Sequence, residues 1–362
     1  MRIGLLAYGG LGGSGTVAAE LAQILASRGH DVALLSNRRP FRLRPGSSVN
    51  YVPVRVPEHP VLPGALYGLA AAGALRAAAL RFEFEVVHTH YAIPHAASAR
   101  LAELTIPLVH TLHGTDVNLL GLDPVFREVT ALALAGTRVT AVSRSLAAQA
   151  RVAFGVDAAV VPNFVDAERF APRPELKTRY VETGEAMIVH ASNFRAIKRT
   201  PDLIRAFAHL LRMGVRARLV FLGDGPERPL AARIARILGV RERVRFLPPT
   251  TRPEEVVGAA DLFWLHSQEE SFGLAALEAL ASGVPVVATR IGGLSEVVRH
   301  GETGWLVELG DVHAQAAASA RLLADPGTLA EMRRAARADA RSRFHPERIV
   351  DSYLNIYQEV RV

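Results

Sequence analysis

Two glutamates eight positions apart carry the most chemistry this sequence offers. Glu270 and Glu278 stand in HSQEESFGLAALEALASG, an E-x7-E spacing, with Ser271-Phe272-Gly273 directly after the first. Helical periodicity begins near Gly273. Glu278 therefore falls about one and a half turns inside a helix and Glu270 just ahead of it. The first N–H groups of a helix lack partners and attract anions. Amides at 272–274 would face a diphosphate, and the flanking carboxylates can accept hydrogen bonds from sugar hydroxyls. A second set, Arg195, Lys198 and Arg199 in ASNFRAIKR, follows a strand-like run and can neutralise phosphate. A third is GGLGGSG at residues 9–15, where Gly10, Gly12 and Gly15 fit G-x-G-x-x-G between a strand and a helix. A nicotinamide dinucleotide would also require an acid at the end of the second strand, and Ser36-Asn37-Arg38-Arg39 stands there. The arginines would suit a 2′-phosphate, so an NADP-dependent oxidoreductase stays open as an alternative.

A fourth set is polar and aromatic. VVHTHYAIPH supplies His88, His90, Tyr91 and His95, and LVHTLHGTDVNLLG supplies His110, His113, Thr115, Asp116 and Asn118. Both segments end strands. Histidine clusters invite a metal, but no H-x3-H or H-E-x-x-H spacing occurs, no D-x-D triplet and no cysteine. A ligand-lined strand edge is the better reading, with no metal.

The elements that must position these residues alternate strand and helix. RIGLLAY, DVALLS and the runs at 49–56, 85–89, 108–112 and 139–142 read as strands of a first half, with a helix over residues 16–28 closed by Gly29. The proline-rich texture of 155–185 reads as a linker. A second alternation follows, with strands at 187–191, 217–222, 244–247, 262–265 and 284–288 and helices at 201–212, 226–238, 253–259 and 273–282. The tail from 311 reads as helical throughout. The pattern predicts an α/β fold of two Rossmann-like, doubly wound domains facing across a cleft, with ligands beyond the carboxyl ends of the strands. The expected domains are 1–165, 166–343, and a C-terminal helix, 344–362, crossing back to the first.

Composition narrows the class. The chain has 362 residues, 49% hydrophobic and 21% charged, which suits globular domains. The formal charge is +7, yet basic and acidic residues are interspersed and aromatics are only 6%, which argues against a nucleic-acid partner. The apolar run 61–75 contains Pro63 and glycines and is too short to span a bilayer, so no stable membrane insertion is expected. The N-terminal apolar run is too short for a signal peptide, and a cytoplasmic protein is expected.

Taken together, E-x7-E, LGDGPE at 222–227, VPNFVD at 161–166 and GGLSEVV…GETGWLV at 292–307 resemble family 4 of the retaining GT-B glycosyltransferases. The segments at 88–99, 111–121 and 192–199 are similar to the group that moves N-acetylglucosamine from UDP-N-acetylglucosamine to L-malate, the first step of bacillithiol biosynthesis. The resemblance implies roles. Glu278 would hold the nucleotide ribose and Glu270 a donor-sugar hydroxyl. The backbone at Ser271, Phe272, Gly273 and Leu274 would grip diphosphate and sugar. Lys198 would bind phosphate. Asn193 replaces a family arginine, and Arg195 would supply that charge. Gly13 would approach the diphosphate and His113 the sugar. Ser14, Tyr91, Thr115 and Asn118 would line the acceptor side, with Arg144 the candidate cation for malate. The catalytic set is then Glu270, Lys198, Arg195 and His113, with neither cofactor nor metal. A front-face substitution is expected, closed off from water by cleft closure. A homodimer is plausible for this group. The nearest alternative is a family-4 enzyme with inositol phosphate or a lipid-linked sugar as acceptor.

Overall fold

The computed structural model describes residues 1–10, 12–57 and 66–361. The segment 61–65 of the apolar run, and Leu11 within the glycine loop, lie outside the described residues. The chain divides into two units, Met1–Asn163 with Pro346–Val362, and Phe164–His345.

The N-terminal unit holds a parallel sheet of seven strands. They are β1 (Arg2–Leu6), β2 (Asp31–Ser36), β3 (Asn50–Pro53), β4 (Val86–His90), β5 (Leu108–Leu112), β6 (Arg138–Ala141) and β7 (Ala158–Val160), in the order β3-β2-β1-β4-β5-β6-β7. Its helices are α1 (Gly13–Ser27), α2 (Tyr67–Phe82), α3 (Ala97–Leu101), α4 (Thr115–Asn118), α5 (Pro124–Leu134) and α6 (Arg144–Phe154). β7 lies where the sequence reads as linker. Three residues, Ala-Ala-Val, are too few to show a period, and β7 forms only because β6 offers an edge beside it.

The C-terminal unit holds six parallel strands. They are β8 (Ala186–Ala191), β9 (Ala217–Leu222), β10 (Val244–Leu247), β11 (Leu262–Leu265), β12 (Val286–Thr289) and β13 (Gly304–Val307), in the order β10-β9-β8-β11-β12-β13. Between and after them run α7 (Thr200–Arg212), α8 (Arg228–Ile237), α9 (Pro253–Val257), α10 (Leu274–Ala281), α11 (Leu294–Val297), α12 (Val312–Ala324) and α13 (Pro326–Arg343). The tail read as continuously helical is broken at Asp325, which caps α13 by accepting from the N–H groups of Gly327 and Thr328. A last helix, α14 (Pro346–Glu359), groups with the N-terminal unit.

Parallel strands covered on both faces are normally continuous apolar runs. β11 (LFWL) and β12 (VVAT) follow this and are buried throughout. β4 (VVHTH) and β5 (LVHTL) do not. His88, Thr89, His90, His110 and Thr111 are all fully buried. Burial of polar groups requires partners, and register supplies them. His88 sits opposite Val109, two residues before Thr111, and its Nε2 lies 2.7 Å from the Thr111 hydroxyl. Its Nδ1 lies 2.7 Å from the hydroxyl of Tyr357 on α14. Thr111 also meets Thr140 at 2.6 Å, and Thr89 meets His110 Nδ1 at 2.7 Å. These histidines are a structural polar layer that ties α14 to the sheet. No group of three metal-ligating side chains occurs among the described residues.

Candidate functional site

In each unit the strand order reverses beside its first strand, between β1 and β4 and between β8 and β11. Loops leaving adjacent strands there diverge to opposite faces and open a crevice at the carboxyl edge. The sequence-predicted residues gather at these two edges.

In the C-terminal unit, Lys198 follows β8 and Glu270 follows β11. Lys198 Nζ donates to Glu270 Oε2 at 2.5 Å, although the residues are 72 apart in sequence. The two side chains keep only 16% and 14% of their exposure. The Ser267 hydroxyl also donates to Glu270 Oε2, at 3.3 Å. Glu270 lies over the start of α10, because an added Cβ on Gly273 would stand 3.6 Å from Glu270 Cγ. Gly273 itself opens α10 at φ +96° and no side chain caps the helix. The cation, the carboxylate and the helix N-terminus therefore converge on one point.

The other predicted residues of this unit are placed less uniformly. Glu278 is buried, in the second turn of α10. Ser271 and Leu274 are half-buried and Asn193 is exposed. Phe272 contributes only its backbone to this edge, since its ring packs edge-on against Phe344 at 5.7 Å. Arg195 is half-buried, at the start of the short turn Ala196–Lys198.

Two neighbouring stretches hold the 192–198 loop. His190 must donate from Nδ1, because its partner at 2.9 Å is the Trp264 carbonyl. Its Nε2 then accepts from the Ser192 hydroxyl at 2.7 Å, and that oxygen accepts the Phe194 N–H at 3.2 Å. Burial keeps the ring neutral by pushing its pKa down to about 4. From the other side, the Gln268 N–H donates to the Ile197 carbonyl at 2.7 Å. Neither His190 nor Ser192 stands out in the sequence, since each acts through a neighbouring strand.

In the N-terminal unit, α1 begins after Gly12 with no side-chain cap. Gly13 is exposed and Ser14 buried in its first turn. Across the switch point, Tyr91 leaves β4 at φ +88°, an uncommon conformation for a side-chain-bearing residue. Its ring meets Tyr8 edge-on at 5.6 Å and His113 at 5.5 Å. Tyr8 stacks on Tyr67 at 5.5 Å, and Tyr67 meets His95 Nε2 at 2.9 Å. Tyr8 and Tyr67 are further residues of this edge that the sequence reading missed. Asp116 is fully buried and accepts the N–H groups of Ala92 at 3.0 Å, His113 at 3.1 Å and Gly114 at 2.8 Å. It joins the ends of β4 and β5 and fixes the backbone of His113. Thr115 and Asn118 bound α4, both half-buried, and Arg144 is exposed in the first turn of α6.

Residues 11–169 match the family Glycosyltransferase Family 4, and residues 173–341 match Glycosyl transferases group 1. The chain is 38% identical to the N-acetyl-alpha-D-glucosaminyl L-malate synthase of Bacillus anthracis, over 99% of this chain and 97% of that one. The chain belongs to the GT-B glycosyltransferases. This glycosyltransferase is also 35% identical to the D-inositol 3-phosphate glycosyltransferase of Xylanimonas cellulosilytica, covering 97% of this chain and 92% of that one. In fold it matches a sucrose-phosphate synthase from Thermosynechococcus elongatus, with a TM-score of 0.85, 20% identity and 99% of each chain covered. Anabaena Alr3699/HepE in complex with UDP and glucose matches with a TM-score of 0.83 at 20% identity, again over 99% of each chain.

Two of the glycosyltransferase's motifs act by close approach. A Cβ on Gly225, in LGDGPE, would stand 1.9 Å from the Asn193 carbonyl oxygen, and φ there is +154°. A Cβ on Gly293, in GGLSEVV, would stand 2.2 Å from the Ser271 carbonyl oxygen, and the Gly293 N–H donates to the Glu270 carbonyl at 2.9 Å. These motifs are supports that press the 192–198 loop and the 270–273 loop into place. No helix of the described residues is long and apolar enough to cross a membrane.

Proposed function

We propose that this enzyme transfers N-acetylglucosamine from UDP-N-acetylglucosamine to the hydroxyl of L-malate, with retention at the anomeric carbon. The observation that carries the proposal is the Lys198–Glu270 pair at the N-terminus of α10, at the switch point of the C-terminal unit. The similarity to a malate synthase over nearly the whole chain supports the substrates.

In this reading the C-terminal unit holds the donor. Glu278 binds the ribose, Glu270 a sugar hydroxyl, and the 271–274 backbone the diphosphate, with Asn193 beside it. As the anomeric C–O bond breaks, negative charge grows on the leaving UDP. Lys198, Arg195 and the helix N-terminus stabilise that charge, which is catalysis by prearranged electrostatics. Fixed cations do this work, so turnover should persist with excess EDTA. Gly13 is assigned to the diphosphate and His113 to the donor sugar.

Retention by double displacement needs a carboxylate nucleophile. Asp116 is unsuited to it, because its oxygens are engaged by three backbone N–H groups and it is fully buried. We therefore assign a front-face substitution. The malate hydroxyl oxygen bonds to the anomeric carbon while the bond to the phosphate oxygen breaks. The hydroxyl proton passes to that departing oxygen, and UDP leaves. Ser14, Tyr91, Thr115 and Asn118 line the acceptor, and Arg144 binds a malate carboxylate.

The test is UDP release from UDP-N-acetylglucosamine with L-malate, with D-inositol 3-phosphate or with no acceptor, together with product mass and anomeric configuration. An α-linked N-acetylglucosaminyl malate is expected with malate alone. Turnover with the inositol phosphate and none with malate would reassign the acceptor to that of the inositol-phosphate relatives.

A further inference from the structure

We propose that Tyr8 is a further acceptor-binding residue, its phenol donating a hydrogen bond to an anionic oxygen of the acceptor. The inference rests on the reading that the N-terminal unit binds the acceptor, and it adds a second group, besides Arg144, that reads the acceptor's charge.

Strand register places Tyr8 at the switch point of the N-terminal unit. Leu6 of β1 pairs with Thr89 of β4, so two residues further on Tyr8 comes level with Tyr91 as both chains leave the sheet. Open α/β sheets bind their ligands at this point. The backbone of Tyr8 is closely packed there. A Cβ on Gly15, in the first turn of α1, would stand 2.3 Å from the Tyr8 carbonyl oxygen. The side chain is held on three sides. Its ring stacks on Tyr67 at 5.5 Å, meets Tyr91 edge-on at 5.6 Å and lies against His95 at 4.5 Å.

The hydroxyl of Tyr8 differs from its neighbours. Three other tyrosines of this unit commit theirs to the protein. Tyr357 meets His88 Nδ1 at 2.7 Å, and Tyr353 meets the Thr111 hydroxyl at 3.4 Å. Tyr67 meets His95 Nε2 at 2.9 Å, and its proton must lie in that bond, because His95 Nδ1 donates to the His90 carbonyl at 2.5 Å. The Tyr8 hydroxyl has no hydrogen-bond partner among the described residues, although the residue is half-buried. A phenol enclosed this far normally finds a partner. Packing that fixes the ring and leaves its polar tip unspent is how a binding group is prepared for its ligand. Burial, and then the nearby Tyr91 phenol, pushes the Tyr8 pKa up to about 12, so near neutral pH the hydroxyl keeps its proton and can donate. In L-malate every oxygen but the reacting hydroxyl belongs to a carboxylate. Arg144 is assigned to one carboxylate, and the other still requires donors once it leaves water. Tyr8 is matched to it.

The test is Tyr8→Phe in the full-length enzyme, which keeps the ring and its packing and removes only the hydroxyl. No bond within the protein is lost, so Tm should stay within about a degree of the wild type. The malate KM should rise roughly tenfold or more, the size of one hydrogen bond to a charged group, with the UDP-N-acetylglucosamine KM within about twofold. An unmoved malate KM overturns the proposal. A comparable rise in the donor KM instead would move Tyr8 to the nucleotide sugar, and a fall in Tm of several degrees would give the hydroxyl a structural role; either result overturns it as well. If the wild type turns over D-inositol 3-phosphate and not malate, the malate reading fails by itself. The comparison is then made with the inositol phosphate, whose phosphate also presents anionic oxygens. A rise of the same size in its KM upholds the role of Tyr8, and an unmoved KM overturns it.

Discussion

Asp116, a carboxylate where the chain leaves β5, is committed to structure. It accepts three backbone N–H groups with no exposure, so Asp116→Asn, with one acceptor oxygen fewer, should lower stability by about 1–3 kcal/mol in chemical denaturation. A change below a few tenths would refute its role as a clamp. The buried histidines have a pH consequence. Burial depresses His95 and His190 to about 4 and His110 to about 3. An unfolded histidine binds its proton below about pH 6.5 and these folded ones do not, so the unfolded state holds more protons. Their neutral burial therefore destabilises the fold as pH falls from about 6.5 toward 4, each by up to about 1.4 kcal/mol per pH unit. A Tm that stays flat from pH 7.5 to 5 would contradict this. On the acceptor side, Arg144→Ala should raise the malate KM by roughly tenfold or more, with the UDP-N-acetylglucosamine KM nearly unchanged. An unmoved malate KM would discard Arg144. The Lys198–Glu270 neighbourhood was legible because E-x7-E and its loop are contiguous. His190 and Ser192 were not, because their partners are chosen by the pairing of neighbouring strands, nor were Tyr8 and Tyr67, which meet only when α2 folds back beside the end of β1.

The glycine loop after β1 separates packing from ligand contact at the scale of elements. A Cβ on Gly9 would stand 1.8 Å from the Arg38 carbonyl oxygen, which belongs to the chain leaving β2. A Cβ on Gly12 would meet nothing within 4 Å, and φ there is −80°, open to any residue. Gly9→Ala should therefore unfold or markedly lower Tm. Gly12→Ala should leave Tm within a degree or two and, if the proposed diphosphate approaches this loop, still impair turnover, because the added methyl would stand in its way. Full activity in Gly12→Ala would remove this loop from the site. The strand–helix alternation was legible wherever apolar runs were four residues or longer. β13 escaped because it opens on a glycine, which reads as a turn. Gly304 stands opposite Val286, and a Cβ there would lie 2.1 Å from the Val286 carbonyl oxygen, so the pairing itself demands glycine. The break between α12 and α13 was hidden because helical composition continues across it.

For the molecule as a whole, many of the arginines behind the +7 charge are engaged internally. Fully buried Glu185 pairs with Arg218 and Arg243, Asp261 with Lys177 and Arg333, Asp202 with Arg199 and Arg205, and Asp339 with Arg299 and Arg343. Such pairing offsets part of the basic excess, so tight binding to a polyanion is not expected. The anisotropy of a labelled duplex should stay unchanged on adding the protein at about 0.15 M salt. The pair that bears most on the proposed function is Lys198 with Glu270, because the proposed transfer requires the Lys198 ammonium to act on the departing diphosphate. The most direct measurement is the single-turnover rate of Lys198→Met with saturating UDP-N-acetylglucosamine and L-malate, taken alongside its far-UV circular dichroism. A fall of about 100- to 1,000-fold with an intact fold is expected, the usual cost of removing one prearranged group that stabilises developing charge. A folded Lys198→Met enzyme turning over within threefold of the wild type would contradict it.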